Sequence, residues 1–297
     1  MQLARARLRP RAGARVRLAL VLGVCGVLLV VTMTLGVGAG PVALSQAQVW
    51  HVIAGQLTGR PDDTVTGTIV WQIRVPRVLL AALVGAALAA MAAVFAVSRS
   101  GHGLAPTQLI LCGVVLSALF ESITSFLIFC GNPQATQSVL FWLLGSFGLA
   151  SWDQLPIPAL ALAAAMIYLL AQGGALNALA MGAEPAAALG VDVRRLRRNL
   201  FLVTSLMAGV AVAVSGIIGF VGLVVPHIVR LMVGSDHRRV LPAGVLFGAS
   251  FMVLGDLLAR TIVAPQEMPI GVITAFIGAP TLIVLIRRRP YLYGATQ

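Results

Sequence analysis

Residues 194–239 read RRLRRNLFLVTSLMAGVAVAVSGIIGFVGLVVPHIVRLMVGSDHRR, and this stretch decides the fold. Two apolar runs, 200–216 and 220–233, lie between arginine clusters, with Arg194, Arg195, Arg197 and Arg198 before them and Arg230, Arg238 and Arg239 at their end. Loops rich in arginine stay in the cytoplasm, so a chain that leaves one such cluster and returns to another crosses a bilayer and comes back. The second run is short. Gly216 and Gly219 between the runs predict a helix pair joined by a tight turn inside the protein, where irregular backbone can find partners.

Working outward, similar apolar runs occupy 18–44, 78–97, 108–130, 155–171, 241–262 and 270–286. A bilayer-spanning helix needs about 17 to 25 residues. Together with the central pair, these runs predict an all-α, polytopic transmembrane bundle of about eight spans. A further stretch, 139–150, is too short and glycine-rich to cross and reads as a re-entrant or interfacial helix. The expected organisation is a basic cytoplasmic tail over 1–17, a membrane domain over 18–289 with a cytoplasmic loop at 176–198, and a cytoplasmic tail over 290–297.

Composition excludes a soluble protein: 59% of the 297 residues are hydrophobic, 10% are charged and the mean hydropathy is +0.97, against about 25% charged in ordinary soluble domains. The net charge of +12 comes from 21 basic residues, all of them arginine. With both termini in the cytoplasm, 17 of the 21 face that side; the exceptions are Arg60, Arg74, Arg77 and Arg260. Clusters abutting apolar runs are a topology signal, so nucleic acid is not an expected partner. The run at 18–44 exceeds the roughly 7 to 15 residues of a signal-peptide core, which predicts a retained anchor.

Lysine is absent. A G-x-x-x-x-G-K-[ST] phosphate loop is therefore impossible, and any ATP hydrolysis of that type belongs to another subunit. Cys25, Cys112 and Cys130 are odd in number and lie within apolar runs, so they predict neither a disulfide framework nor a zinc site. His227 and His237 sit near helix boundaries without a second ligand at chelating spacing, which favours structural roles over metal binding. No cofactor is expected. No span carries paired carboxylates or a Ser-His or His-x-x-x-His pattern, so no enzymatic site is identifiable.

Several long strings resemble the permease subunits of the iron-siderophore, haem and cobalamin ABC importers, the FecCD family. They are LNALAMGAEPAAALGVDVRRLRR at 176–198, GFVGLVVPHIVRLMVGSDHRRVLP at 219–242 and PIGVITAFIGAPTLIVLIRRR at 269–289. RVPR at 74–77, VGAA at 84–87 and the region around FWLLGSFG at 141–152 look like the same family. One departure stands out. The family pattern that opens with RVPR and VGAA continues into an Asn-Pro loop and two more crossings, whereas here 84–90 passes directly into a stretch resembling the end of a later span. A hybrid helix over 78–97 thus replaces three, and removing an even number of crossings preserves the direction of everything downstream.

The resemblance implies partners: a separate ATP-binding-cassette ATPase, an extracytoplasmic substrate-binding protein and a second permease subunit, identical or similar, all assembled at the cell inner membrane. It implies that the loop with Gly182, Glu184, Pro185, Leu189 and Gly190 docks on the ATPase through a short helix at 184–189; without it, the segment reads as an ordinary interhelical loop. It implies that Arg74, Arg77 and Arg260 receive carboxylates of the binding protein, where paired hydrogen bonds add orientation to attraction. Snorkelling toward headgroups is the alternative, and Asp256, four residues before Arg260, is a local partner for it. Ser117, Glu121, Thr124 and Ser125 form a polar stripe at helical spacing. An ionisable group in a span invites a functional reading: the stripe lines a hydrated path, or Glu121 is a hydrogen-bonded acid at a helix contact. The family gives that position no acidic role.

Overall fold

The computed structural model describes residues 12–98 and 106–288 apart from 41, 43, 60, 61, 63 and 132. Most of the tail at 1–17, the tail at 290–297, Arg60, Arg99 and the side chain of Cys112 lie outside the described residues.

The described chain is helical, without strands. Its helices are α1 (Ala12–Gly38), α2 (Gln46–Leu57), α3 (Val65–Thr68), α4 (Val75–Ser98), α5 (Pro106–Cys130), α6 (Pro133–Leu143), α7 (Pro156–Ala171), α8 (Gly173–Ala180), α9 (Ala183–Ala188), α10 (Val193–Ser215), α11 (Val221–Val233), α12 (His237–Thr261) and α13 (Ile270–Arg288). A π-helical turn, Ile69–Arg74, leads into α4. Six helices are long and apolar enough to cross a membrane, and Val221–Val233 and Ile270–Val284 are shorter apolar helices. The eight runs of the sequence each coincide with one of these helices. The hybrid run is one uninterrupted helix, α4.

The centre of the bundle is α4 against α12, joined by α1, α10 and α11. At Gly85 and Gly248 the two backbones touch: a Cβ on Gly85 would run into the carbonyl oxygen of Gly248, and one on Gly248 would meet Gly85 and Ala89. Small residues give this closeness in membranes, where apolar surface is equally well satisfied by lipid and association rests on packing. Around the contact, Leu80, Ala81, Val84, Ala89 and Ala93 of α4 and Leu241, Met252 and Val253 of α12 are fully or almost fully buried. The glycine of the VGAA string is therefore a helix-contact residue.

Helix ends sort into two groups. Arg17 of α1 donates to Leu231 O of α11 at 3.5 Å, Arg230 donates to Ala93 O of α4 at 3.1 Å, and Asn177 of α8 meets Asp236 before α12. The arginine-bearing ends of α1, α11 and α12 thereby gather at one end, where α10 also begins, against α9 beside α8. At the opposite end, Ile270 N of α13 donates to Gly145 O, Ser146 N to the last residue of α10, Ser215, and Trp152 Nε1 to Trp71 O.

The expected tight-turn helix pair is not formed: α10 and α11 are joined by irregular chain over 216–220 and make no substantial contact with each other. Gly216 has φ +71°, and a side chain there would strike Trp142 O. Phe220 begins α11 with φ +66°, a conformation rare for a bulky residue. The stretch 139–150 resolves into the last turns of α6 followed by irregular chain over 144–151, so only part of the expected short helix is helical.

α5 differs from the rest. Its span window, Gly113–Cys130, has no buried residue, and it makes no substantial packing contact with another described element.

Replacing Gly85 or Gly248 with leucine should force α4 and α12 apart. Overpacking typically costs about 1–3 kcal/mol, so the detergent-solubilised protein should melt several degrees lower. Gly23→Leu, at a position with open space around it, should melt like the wild type.

Candidate functional site

At the end opposite the arginine clusters, a buried ionic network ties three helices. Arg77 on α4 places Nε 2.9 Å from Asp256 Oδ1 on α12 and Nη1 at 2.8 and 3.0 Å from the two carboxylate oxygens of Glu267. Arg260, one turn after Asp256, places Nε 3.0 Å from Asp256 Oδ2. It also donates Nη1 to Ala39 O at 3.0 Å and Nη2 to Gly36 O at 2.8 Å. Arg74, at the end of the π turn, donates to Val37 O, Gly38 O and Val42 O at 3.0, 2.7 and 2.5 Å. Two guanidinium groups thus close the C-terminal end of α1, where carbonyls have run out of helical partners.

This placement departs from the expectation of a displayed docking surface. Arg74, Arg77 and Arg260 are 4%, 5% and 3% exposed, and their donors are directed inward. The planar fork of arginine suits this because it satisfies several fixed acceptors at once. The pairing of Arg260 with Asp256 is the local alternative that the four-residue spacing allowed. Glu267, which the sequence did not single out, is the network's outermost member, with its side chain 40% exposed. It sits on the turn between α12 and α13, beside a cavity of about 460 Å³ lined by Phe141, Ser146, Gln266, Glu267, Met268 and Pro269.

The other end holds the expected coupling segment. The short helix is α9, Ala183–Ala188, displaced by one residue from the predicted 184–189. Gly182 at φ +125° and Gly190 at φ +81° bracket it in conformations that favour glycine. Ala186 is buried beneath it, while Glu184, Pro185 and Leu189 are exposed. Met181 is exposed as well, giving the segment an apolar outer face.

Behind α9 is a polar joint that sequence reasoning missed. Asn177 Oδ1 on α8 accepts from His237 N at 2.8 Å and lies 2.9 Å from His237 Nδ1, while its Nδ2 donates to Asp236 Oδ1 at 2.6 Å. Burial works against the Asp236 carboxylate, but the bond from Asn177, the Arg238 amide and the charges of Arg239 and Arg238 hold it below the usual range. Asp236 also caps α12 by accepting from Arg238 N. The available signal was an asparagine in an apolar helix, which in a membrane has to find a partner.

Ser117, Glu121 and Ser125 are exposed on α5 and Thr124 is partly so, its hydroxyl donating to Phe120 O. α5 does not pack on this chain's own bundle, so the helix-contact reading of Glu121 finds no support within it. Cys25 is buried in α1 and Cys130 is exposed. Among the described residues, no three His, Cys, Asp or Glu side chains converge to hold a metal ion.

Comparison with known proteins places this architecture. The pattern of the FecCD transport family matches residues 28–95 and 87–288. The chain therefore belongs to the FecCD transport family. The two matches overlap at 87–95, inside α4. A hemin transport system permease of Yersinia pestis is 40% identical over 71% of this chain and 63% of its own length. An uncharacterized ABC transporter permease of Bacillus subtilis is 34% identical over 88% and 91%. That alignment runs over 324 positions, more than this chain contains, so the relative carries residues missing here. A vitamin B12 import permease of Vibrio vulnificus is 38% identical over 71% and 62%. The chain thus spans less than two thirds of the length of two of these relatives. A solved structure described as an inward-facing conformation of a metal-chelate type ABC transporter aligns with TM-score 0.73 and 28% identity over 91% of this chain and 99% of its own.

Asp256 is the shared counterion of two buried arginines, and Asp256→Ala leaves Arg260 without a carboxylate and Arg77 with Glu267 alone. Breaking such a pair costs about 3–5 kcal/mol. The variant should accumulate poorly in membranes and melt well below the wild type, while Asp256→Glu should recover part of the loss.

Proposed function

We propose that the chain is the membrane-spanning permease subunit of an ATP-binding-cassette importer in the cell inner membrane, with its arginine-rich end in the cytoplasm. A separate ATPase subunit supplies the energy and docks on α9. The observation that carries this reading is the joint of α9 with the core: an exposed apolar helix, bracketed by two positive-φ glycines, sits next to α8, and Asn177 of α8 grips the first turn of α12. A push on α9 therefore reaches a helix that runs to the far end of the bundle, as rigid elements transmit motion.

A second permease subunit completes the assembly. α5 carries Ser117, Glu121, Thr124 and Ser125 on a helix that this chain leaves uncovered, which supports a substrate path formed between two subunits. An extracytoplasmic binding protein delivers the cargo to the opposite end, where Arg74, Arg77 and Arg260 lie just beneath the surface. The proposed cargo is an iron(III)-siderophore complex, which arrives already chelated and needs no metal ligands from the protein. Haem and cobalamin are the alternatives, since similar permeases are named for each.

A second reading follows from the merged pattern within α4 and the uncovered α5: a shortened permease that no longer transports and serves as an assembly partner. Co-reconstitution with a cognate ATPase and binding protein separates the two. Transport predicts ATP-dependent uptake of a labelled ferric siderophore, haemin or cobalamin, lost in Pro185→Arg and in charge reversal of Arg74 and Arg77. ATP hydrolysis stimulated without uptake of any of the three would favour the shortened form. Binding-protein association that ignores the charge reversals at low salt would remove the docking role.

A further inference from the structure

The ionic network contains three arginines against two carboxylates, Asp256 and Glu267. The members are not equivalent. Asp256 is fully buried and held by both Arg77 and Arg260. Glu267 is held by Arg77 alone, both its oxygens on one nitrogen, and its side chain is 40% exposed while that of Arg77 is 7%. It projects from a short turn rather than a helix, and the cavity beside it has room for an incoming side chain. A buried cation with one exposed, replaceable counterion is an anion site occupied by a residue of its own chain.

We infer that Glu267 is an internal stand-in for a carboxylate of the docking protein: it covers Arg77 in the free permease and is displaced when an acidic side chain takes its place. The inference rests on the docking role proposed above and adds its regulation. Without a partner the network stays nearly neutral, which limits the cost of keeping arginine buried. With a partner, one carboxylate replaces another on the same guanidinium, so the exchange costs little electrostatically. It also frees the turn between α12 and α13. That turn carries Met268 N donating to Ala259 O and precedes Ile270 N donating to Gly145 O, so its release loosens the closure of the outer end. Charge sets the kind of partner: an acidic surface fits a site whose three cations face a single anion once Glu267 swings away.

The test uses the full chain in lipid nanodiscs and phenylglyoxal, which condenses with accessible guanidinium groups, with modification at Arg77 followed by mass spectrometry. In the wild type Arg77 should react slowly. In Glu267→Gln its rate should rise about fivefold or more, and a hexaglutamate peptide should restore at least half of the protection. Glu267→Asp, which keeps the charge but shortens the reach, should fall between the two and keeps the test open if the glutamine variant is poorly folded. Rates at Arg77 equal within twofold in all three proteins would overturn the inference, as would faster reaction without peptide protection. Failure of the docking role itself shows separately, as binding-protein association indifferent to Arg74 and Arg77 whatever the reagent does.

Discussion

The touching backbones of α4 and α12 at Gly85 and Gly248 are the constraint on which the rest of the structure depends. In a bilayer, burying apolar side chains against one another gains little over burying them in lipid, so helices associate where shape lets them approach most closely. Two glycines facing each other give that shape. Once the axes are this close, Arg77 on α4 comes within reach of Asp256 on α12, and Arg260 of the C-terminal carbonyls of α1. Any side chain at the crossing would separate these groups, and charges buried without partners are what a membrane interior tolerates least.

The fold was largely legible because its signal is long and redundant. Eight apolar runs, each flanked by arginine or by glycine turns, leave little freedom once water and lipid divide the chain, and every run became a helix. Gly216 and Gly219 marked the break between α10 and α11 but not its shape, since the two helices do not pack as a pair. The reading of α4 as a hybrid helix came only through resemblance: composition alone reads 78–97 as an ordinary span, and the two stretches that match the family overlap within it.

The candidate site was legible in part. Arg74, Arg77 and Arg260 stood out because they oppose the distribution of the other arginines, but sequence position gives no direction to a side chain, and the structure turns them inward. Asp256 was visible through its four-residue spacing to Arg260. Glu267 and Asn177 were not, because their partners, Arg77 and His237, are 190 and 60 residues away. Glu121 shows the reverse: its spacing within a polar stripe was clear, while the face it presents depends on what covers α5.

The Gly85–Gly248 contact also has a mechanical meaning. Gly248 stands near the middle of α12, between His237 at one end and Arg260 at the other. At about 1.5 Å of rise per residue, each arm is about 17 Å long. The crossing is therefore a fulcrum. A tilt of about 5° moves each end of so long an arm by about 1.5 Å, and in opposite directions. That is half the length of the hydrogen bonds held by Asn177 at one end and by Arg77 at the other, so a motion too small to disturb the core is large enough to make or break the polar contacts at both ends.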